Sequence, residues 1–133
     1  MKKLKKRYLF IIPVLLIFIG IIGIFLHKEQ PLEGTFYLVV SDSASRTKTI
    51  SNNFVIEVDN QIAIIKDNGK IEQQKINKED KTICIFDKQY FYNYNTGHLT
   101  LTRKMSNSEF ENIEFVSDAS PIFESYKKGK VRY

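Results

Sequence analysis

Tryptophan is absent, and the 133 residues include one cysteine, two histidines and three prolines. Each shortage removes a class of chemistry. A single cysteine, Cys84, cannot close a disulfide within the chain, and with only His27 and His98 beside it the usual four-ligand zinc cage cannot be assembled. A nucleophilic relay needs a base next to its nucleophile, and neither histidine stands in a spacing that supplies one. Phosphate loops and dinucleotide fingerprints are missing, since neither G-x-G-x-x-G nor G-K-[ST] occurs. The run Asp67-Asn68-Gly69-Lys70-Ile71-Glu72 has the outline of a calcium loop, but the oxygen ligands at alternate positions are lacking and Lys70 stands among them. No cofactor and no metal are expected.

The net charge of +5 does not mark a nucleic-acid surface. Lys2, Lys3, Lys5, Lys6 and Arg7 supply all of it, and of the 20 basic residues the remaining 15 balance 15 acids. Charge gathered ahead of an apolar run is a topology signal rather than a phosphate-binding patch.

That run, Tyr8 to Leu26, reads YLFIIPVLLIFIGIIGIFL: 19 residues without a charge and without a polar face. As a helix it is about 28 Å long, enough to span a bilayer core. Pro13, Gly20 and Gly23 are tolerated in such a helix. The basic flank places the N-terminus in the cytoplasm and the C-terminal part outside. A cleaved secretory signal requires small residues after the apolar stretch, and His27-Lys28-Glu29-Gln30-Pro31 offers none; nor does a cysteine stand there to accept a lipid. The expected organisation is a basic cytoplasmic segment (1–7), an uncleaved transmembrane anchor (8–26), a linker (27–33) and an extracytoplasmic β domain (34–133).

After Pro31 the pattern changes to short alternating runs. Gly34–Val40 alternates Phe36, Leu38 and Val40 with Thr35, Tyr37 and Val39. Asn53–Asp59 alternates Phe54, Ile56 and Val58 with Val55 and Glu57, turns at Asp59-Asn60, and pairs with Gln61–Lys66. Asn68-Gly69 accepts the positive φ angles of a type I′ turn, so Ile71–Ile76 returns along Gln61–Lys66. Thr82–Phe86, nearly all apolar, is expected as a central strand with Cys84 buried as a small hydrophobe. Tyr90–Tyr94 and His98–Arg103 flank a tight turn at Asn95-Thr96-Gly97. Ser106-Asn107-Ser108-Glu109 has the spacing of a capping box and predicts a short helix through Asn112. Ile113–Val116 forms a last strand. Phe123 and Tyr126 can pack on the sheet, while Lys127-Lys128-Gly129-Lys130 is expected to be solvated.

The fold class is therefore mainly β: an N-terminal transmembrane helix followed by a small antiparallel meander, a bent sheet or barrel, with one short helix. Gly34-Thr35-Phe36 opening the first strand, then hairpins and a short helix, resembles the lipocalin-like small β-barrels. The family pattern is Gly-x-Trp, and Phe36 stands here in place of the tryptophan. The resemblance implies an architecture and no ligand.

Two surfaces are candidates for interaction. A period of two puts Tyr90, Tyr92 and Tyr94 on one face, either as a stacking platform or as rings lining the core. Lys127, Lys128 and Lys130 form a basic tail, either solvated or in contact with anionic headgroups or wall polymer. The expected function is non-enzymatic, that of a membrane-anchored binding or accessory subunit of the bacterial envelope. Its expected partners are the membrane, through residues 8–26, and an envelope protein or a small apolar ligand, with no nucleic acid. The alternatives are an envelope hydrolase using dispersed carboxylates and a structural component of a secretion or transport assembly.

Overall fold

The computed structural model describes residues 2–26 and 29–133; the linker residues His27 and Lys28 lie outside them. The chain divides between Gln30 and Pro31 into two compact units. The first is the helix α1 (Lys2–Leu26), with Pro13 inside it. The described side chains between Ile11 and Ile24 are exposed on every side, the large ones from 45% at Ile21 to 74% at Ile24. Among the described residues no helix is long and apolar enough to cross a membrane. The segment Ile11–Ile24, at 1.5 Å per residue, measures about 21 Å, and the uncharged run of the sequence continues beyond it at both ends.

The second unit is a nearly closed antiparallel β-barrel. Its strands are β1 (Gly34–Asp42), β2 (Thr47–Asp59), β3 (Ile62–Asp67), β4 (Lys70–Lys75), β5 (Thr82–Ile85), β6 (Lys88–Asn95), β7 (His98–Lys104), β8 (Phe110–Ser117) and β9 (Val131–Arg132), with a short helix α2 (Phe123–Lys127) before the last. The staves follow the order β4-β3-β2-β1-β8-β7-β6-β5, and β9 adds to β2. Several consecutive strands are joined by tight turns in which non-glycine residues take positive φ. Asn60 (45°) and Gln61 (69°) turn β2 into β3, Asn68 (47°) and Gly69 (85°) turn β3 into β4, and Thr96 (50°) and Gly97 (80°) turn β6 into β7. These are the type I′ hairpins that twisted antiparallel strands favour, and the pairing of β3 with β4 keeps the register Asn-Gly implies, Asp67 opposite Lys70 and Ile65 opposite Glu72.

Alternation fills the lumen. Phe36, Ile56, Ala63, Ile65, Leu99, Leu101 and Phe115 are fully buried, Leu32, Ile76, Ile83, Ile85 and Tyr90 nearly so, and all belong to one core cluster. Leu32 thus belongs to the barrel, so the linker ends earlier than the sequence pattern implied. Phe54 meets Phe115 edge-on at 5.2 Å, and Phe36 meets Tyr94 at 5.5 Å.

Four expectations are corrected. The capping-box segment forms only a 3-10 turn at Ser106–Ser108, with no side-chain cap, because Glu109 is extended and Phe110 pairs with Lys104 in the ladder. The one short α-helix is α2. Thr82–Ile85 is the terminal stave rather than a central one, and its outward residue Cys84 is exposed while Ile83 and Ile85 point inward. The second strand begins at Thr47, six residues before Asn53, because a bulge carrying the exposed Asn52 and Asn53 lets the ladder resume with Leu38 opposite Ser51. The tail is built in: β9 pairs with Thr47 and Lys48, although Lys127, Lys128 and Lys130 are exposed.

Between β4 and β5, the two ends of the sheet, no ladder forms. The seam is held by an isolated bridge between Asn77 and Thr82 at one end, and at the other by the Phe86 amide donating to Glu72 Oε2 at 2.7 Å. Gln74 Nε2 donates to the other oxygen of Glu72 at 2.6 Å.

Candidate functional site

The tyrosine row lines the lumen and is not a platform on the outer wall. Tyr90 is 3% exposed, while Tyr92 and Tyr94 are half-buried and pack on the core cluster; Phe91 and Asn93 face out. The reason is register, since Tyr90, Tyr92 and Tyr94 lie opposite Ile83, Leu101 and Leu99, all inward. Lys127 and Lys128 close α2 on the outside of the barrel, and Lys130 follows, its amide donating to the Ser125 carbonyl at 2.9 Å. The two candidate surfaces therefore stand on opposite sides of the wall.

Where the inward row of β6, β7 and β8 reaches one end of the barrel it turns polar. Arg103 and Glu111 are cross-strand partners. The guanidinium gives Nε at 3.0 Å and Nη2 at 2.8 Å to the same oxygen, Glu111 Oε2, and the Tyr90 hydroxyl donates to it at 3.3 Å. The guanidinium carbon sits 5.7 Å from the centre of the Tyr90 ring, within cation–π range. Arg103 holds the Glu111 carboxyl below its ordinary range, the reverse interaction raises Arg103, and burial raises the Tyr90 phenol. Because the Glu111 pKa is lowered on folding, its stabilisation is fully present above the ordinary carboxylate range and is lost as pH falls below that range through the lowered value of the folded chain. The expected result is that the melting temperature of the protein exceeds that of Glu111→Gln at pH 7, and that the difference narrows towards pH 3; a constant difference across that range would separate Glu111 from the titration.

A second polar cluster lies on the outer wall. Val55, Tyr37, Val116 and His98 form one row across β2, β1, β8 and β7. Here alternation fails: Val55 and Ile56 are both buried, as are Phe115, Val116 and Ser117. The outward members are roofed by the segment that carries α2. Phe123 lies 5.3 Å from the Tyr37 ring, and Tyr126, 4% exposed, meets the His98 ring at 6.0 Å. Glu114 ties the roof down. It accepts from Lys48 Nζ at 2.8 Å and from the Tyr126 hydroxyl at 3.5 Å, and lies 3.9 Å from His98 Nδ1. The hydrogen bond to Glu114 raises Lys48, while burial, and then the Glu114 charge, raises Tyr126. His98, the first residue after the β6–β7 turn, is half-buried and faces Tyr126. Nothing in the spacing of Lys48, Glu114 and Tyr126 marked them as neighbours. Among the described residues no group of three His, Cys, Asp or Glu side chains is placed to hold a metal ion.

An open groove of about 540 Å³ also lies on the outer wall of β1, β2 and β3, lined by Gly34, Thr35, Glu57, Asp59, Ile62 and Ile64 among others. Thr35, Glu57 and Ile64 fall in one row across the three strands. Lys66 Nζ contacts Glu57 Oε1 at 2.7 Å.

Compared with family models, with curated proteins and with solved structures, the chain finds no match. What its own geometry defines is a nearly closed, side-chain-filled antiparallel barrel, an architecture consistent with the lipocalin-like one.

Proposed function

We propose that the chain is a membrane-tethered, non-enzymatic binding or accessory protein of the bacterial envelope, its barrel held on the outer side. The observation that carries this is the contrast between the two units. The barrel turns its apolar residues inward, whereas α1 runs unbroken from Lys2 to Leu26 with large apolar side chains exposed all round between Ile11 and Ile24. A helix that is apolar on every face needs an apolar solvent, and together with the uncharged flanks of the run it has the length of a bilayer span. Lys2, Lys3, Lys5, Lys6 and Arg7 orient it with the N-terminus inside. A lumen occupied by Phe36, Leu101, Phe115 and Tyr90 favours a partner met on the outer surface over a small ligand held within.

Alkaline carbonate extraction and protease treatment of intact protoplasts test the reading. The full chain is expected to stay in the membrane pellet with its barrel removed by external protease, and deletion of residues 8–26 is expected to release the barrel from the membrane. Extraction of the full chain by carbonate, or full protection from protease, would overturn the tether or its orientation respectively.

A further inference from the structure

The register that turns the tyrosines of β6 into the lumen turns Gln89, Phe91 and Asn93 outward, beside Thr100 and Thr102 of β7 and Asn112 of β8. These six residues form a stretch of outer wall without a charge. It is bordered by Lys104 at one margin and at the other by Glu114, whose carboxylate Lys48 holds. Gln89, Phe91, Asn93 and Asn112 are exposed, and the two threonines are half-buried. The Thr102 hydroxyl donates to Asn112 Oδ1 at 2.8 Å, and among the described residues no hydrogen bond occupies the side chains of Gln89, Asn93 or Thr100. The three most exposed apolar residues of the strands are Ile71, at 70%, and Phe91 and Phe110, at 60% each. Ile71 stands opposite Lys66 and Phe110 opposite Lys104, and a lysine stem is the ordinary cover for such a residue. Phe91 has none: its cross-strand partners are Thr82 and Thr102, and Gln89 and Asn93 flank it along β6.

We propose that this wall docks a neutral glycan, one sugar ring lying by its C–H face on Phe91 and the hydroxyl or acetamido groups around it bonded to Gln89, Asn93, Thr100 and Asn112. Three properties of the wall select that occupant. Without a charge of either sign, it offers a polyanion or a polycation no attraction. A single ring set among polar side chains is too small an apolar area for the centre of a protein interface, which gathers several apolar and aromatic residues. Primary amides and hydroxyls both donate and accept, as sugar hydroxyls do, so the two arrays satisfy each other while the ring supplies apolar area. Each exposed hydrogen bond contributes little net stabilisation, so repetition of the sugar along a polymer is what gives the contact its strength. Gln89 and Asn93 stand four residues apart on β6, about 14 Å, which sets the bound length at a short oligosaccharide. The glycan is the partner class for the outer-surface reading above, and the inference rests on that reading for the place where the glycan is met, the envelope.

The test titrates the full chain, in nanodiscs of neutral phosphatidylcholine, with the β1,4-linked tetramer of N-acetylglucosamine, read by saturation-transfer NMR with empty nanodiscs as the blank. Saturable transfer to the sugar ring protons is expected, with binding weakened about tenfold by Phe91→Ala and less by Asn93→Ala, and unchanged by Ile71→Ala or by added salt. All three substituted side chains lie outside the core, so the thermal transition of each variant is expected to match the parent and confirm an intact barrel. Transfer no greater than the blank, equal binding to the Phe91→Ala variant, a loss as large from Ile71→Ala, or loss of binding in salt would each overturn the proposal. Full protection from protease in protoplasts would take the barrel out of the envelope while leaving this titration to decide the glycan by itself.

Discussion

Replacing Phe115 by alanine is expected to cost about 3–5 kcal/mol, the range for truncating a buried phenylalanine. Phe115 is fully buried, stacks edge-on with Phe54, and lies opposite Leu38 on β1 and Leu99 on β7, where the two halves of the barrel meet. A small domain is stable by roughly 5–15 kcal/mol, so the loss would take a large share of the total. Urea unfolding of the full chain in detergent micelles should show a lower midpoint with an unchanged slope, since the same surface is exposed on unfolding. Phe115→Leu, which leaves a smaller cavity, should lose much less. Equal losses for the two would mean that the aromatic contact, and not the filled volume, is what the position supplies.

The second large effect is expected from ending the chain at Ala119. That truncation removes Phe123 and Tyr126 from the outer wall, exposes Tyr37, Val55 and Val116, and deletes β9 from the edge of β2. Burying an aromatic side chain removes on the order of 150–250 Å² from water, and at roughly 25 cal/mol per Å² the two rings together stabilise by several kcal/mol as an upper bound. The ion pair at the margin contributes much less, about 1 kcal/mol or below for a pair that is partly exposed. Lys48→Met, which breaks only that pair, separates the two contributions. The truncated chain should unfold at distinctly lower urea than Lys48→Met. A Lys48→Met protein as weak as the truncation would locate the stabilisation in the charges instead of the packing.

These two positions also mark where sequence reading succeeds and where it stops. Phe115 lies in Ile113–Val116, a run whose alternation with Glu114 announces a strand with one buried face, and the same argument places Phe36, Ile56, Leu99 and Leu101. The hairpins at Asn60, Asn68 and Thr96-Gly97 were legible because the residues that tolerate positive φ are few and occur between alternating runs. The roof was only partly legible. Phe123 and Tyr126 were recognisable as apolar enough to pack, but a five-residue helix has no periodicity to reveal which wall it covers. The edge position of Thr82–Ile85 was hidden for a related reason. An all-apolar run ordinarily signals burial on both faces, but here Thr82 is buried beside the bridge to Asn77, Ile83 and Ile85 face the lumen, and Cys84 faces out. Ser106–Glu109 shows the opposite failure: a sound local helix signal yields to the ladder, because Phe110 and Glu111 gain strand partners in Lys104 and Arg103.

The candidate sites were the least legible part. The period of two correctly grouped Tyr90, Tyr92 and Tyr94, but periodicity cannot say which face of a strand is the inner one; only the partners Ile83, Leu99 and Leu101 decide that. The contacts of Arg103 with Glu111, and of Lys48 and Tyr126 with Glu114, span β2 to α2 and no single-sequence spacing connects them. The outward isoleucines of β3 were visible as an apolar run, read as one strand of a hairpin, without the consequence that half of them must lie outside.

The missing ladder between β4 and β5 gives the barrel a spine and a clasp. Strands β1–β4 make one folio of consecutive hairpins and β5–β8 another, each assembled from neighbours in sequence, and they are bound together along a short spine where Phe36, Tyr37 and Leu38 pair with Ser117, Val116 and Phe115. On the opposite side the seam is fastened at one end by Glu72, which accepts from the Phe86 amide, and at the other by the Asn77–Thr82 bridge. Each folio can form from local contacts, and so can the clasp, whose partners Glu72 and Phe86 lie 14 residues apart; long-range pairing is the slow part of folding a β protein, and here that is the binding of the spine, Phe36 to Ser117.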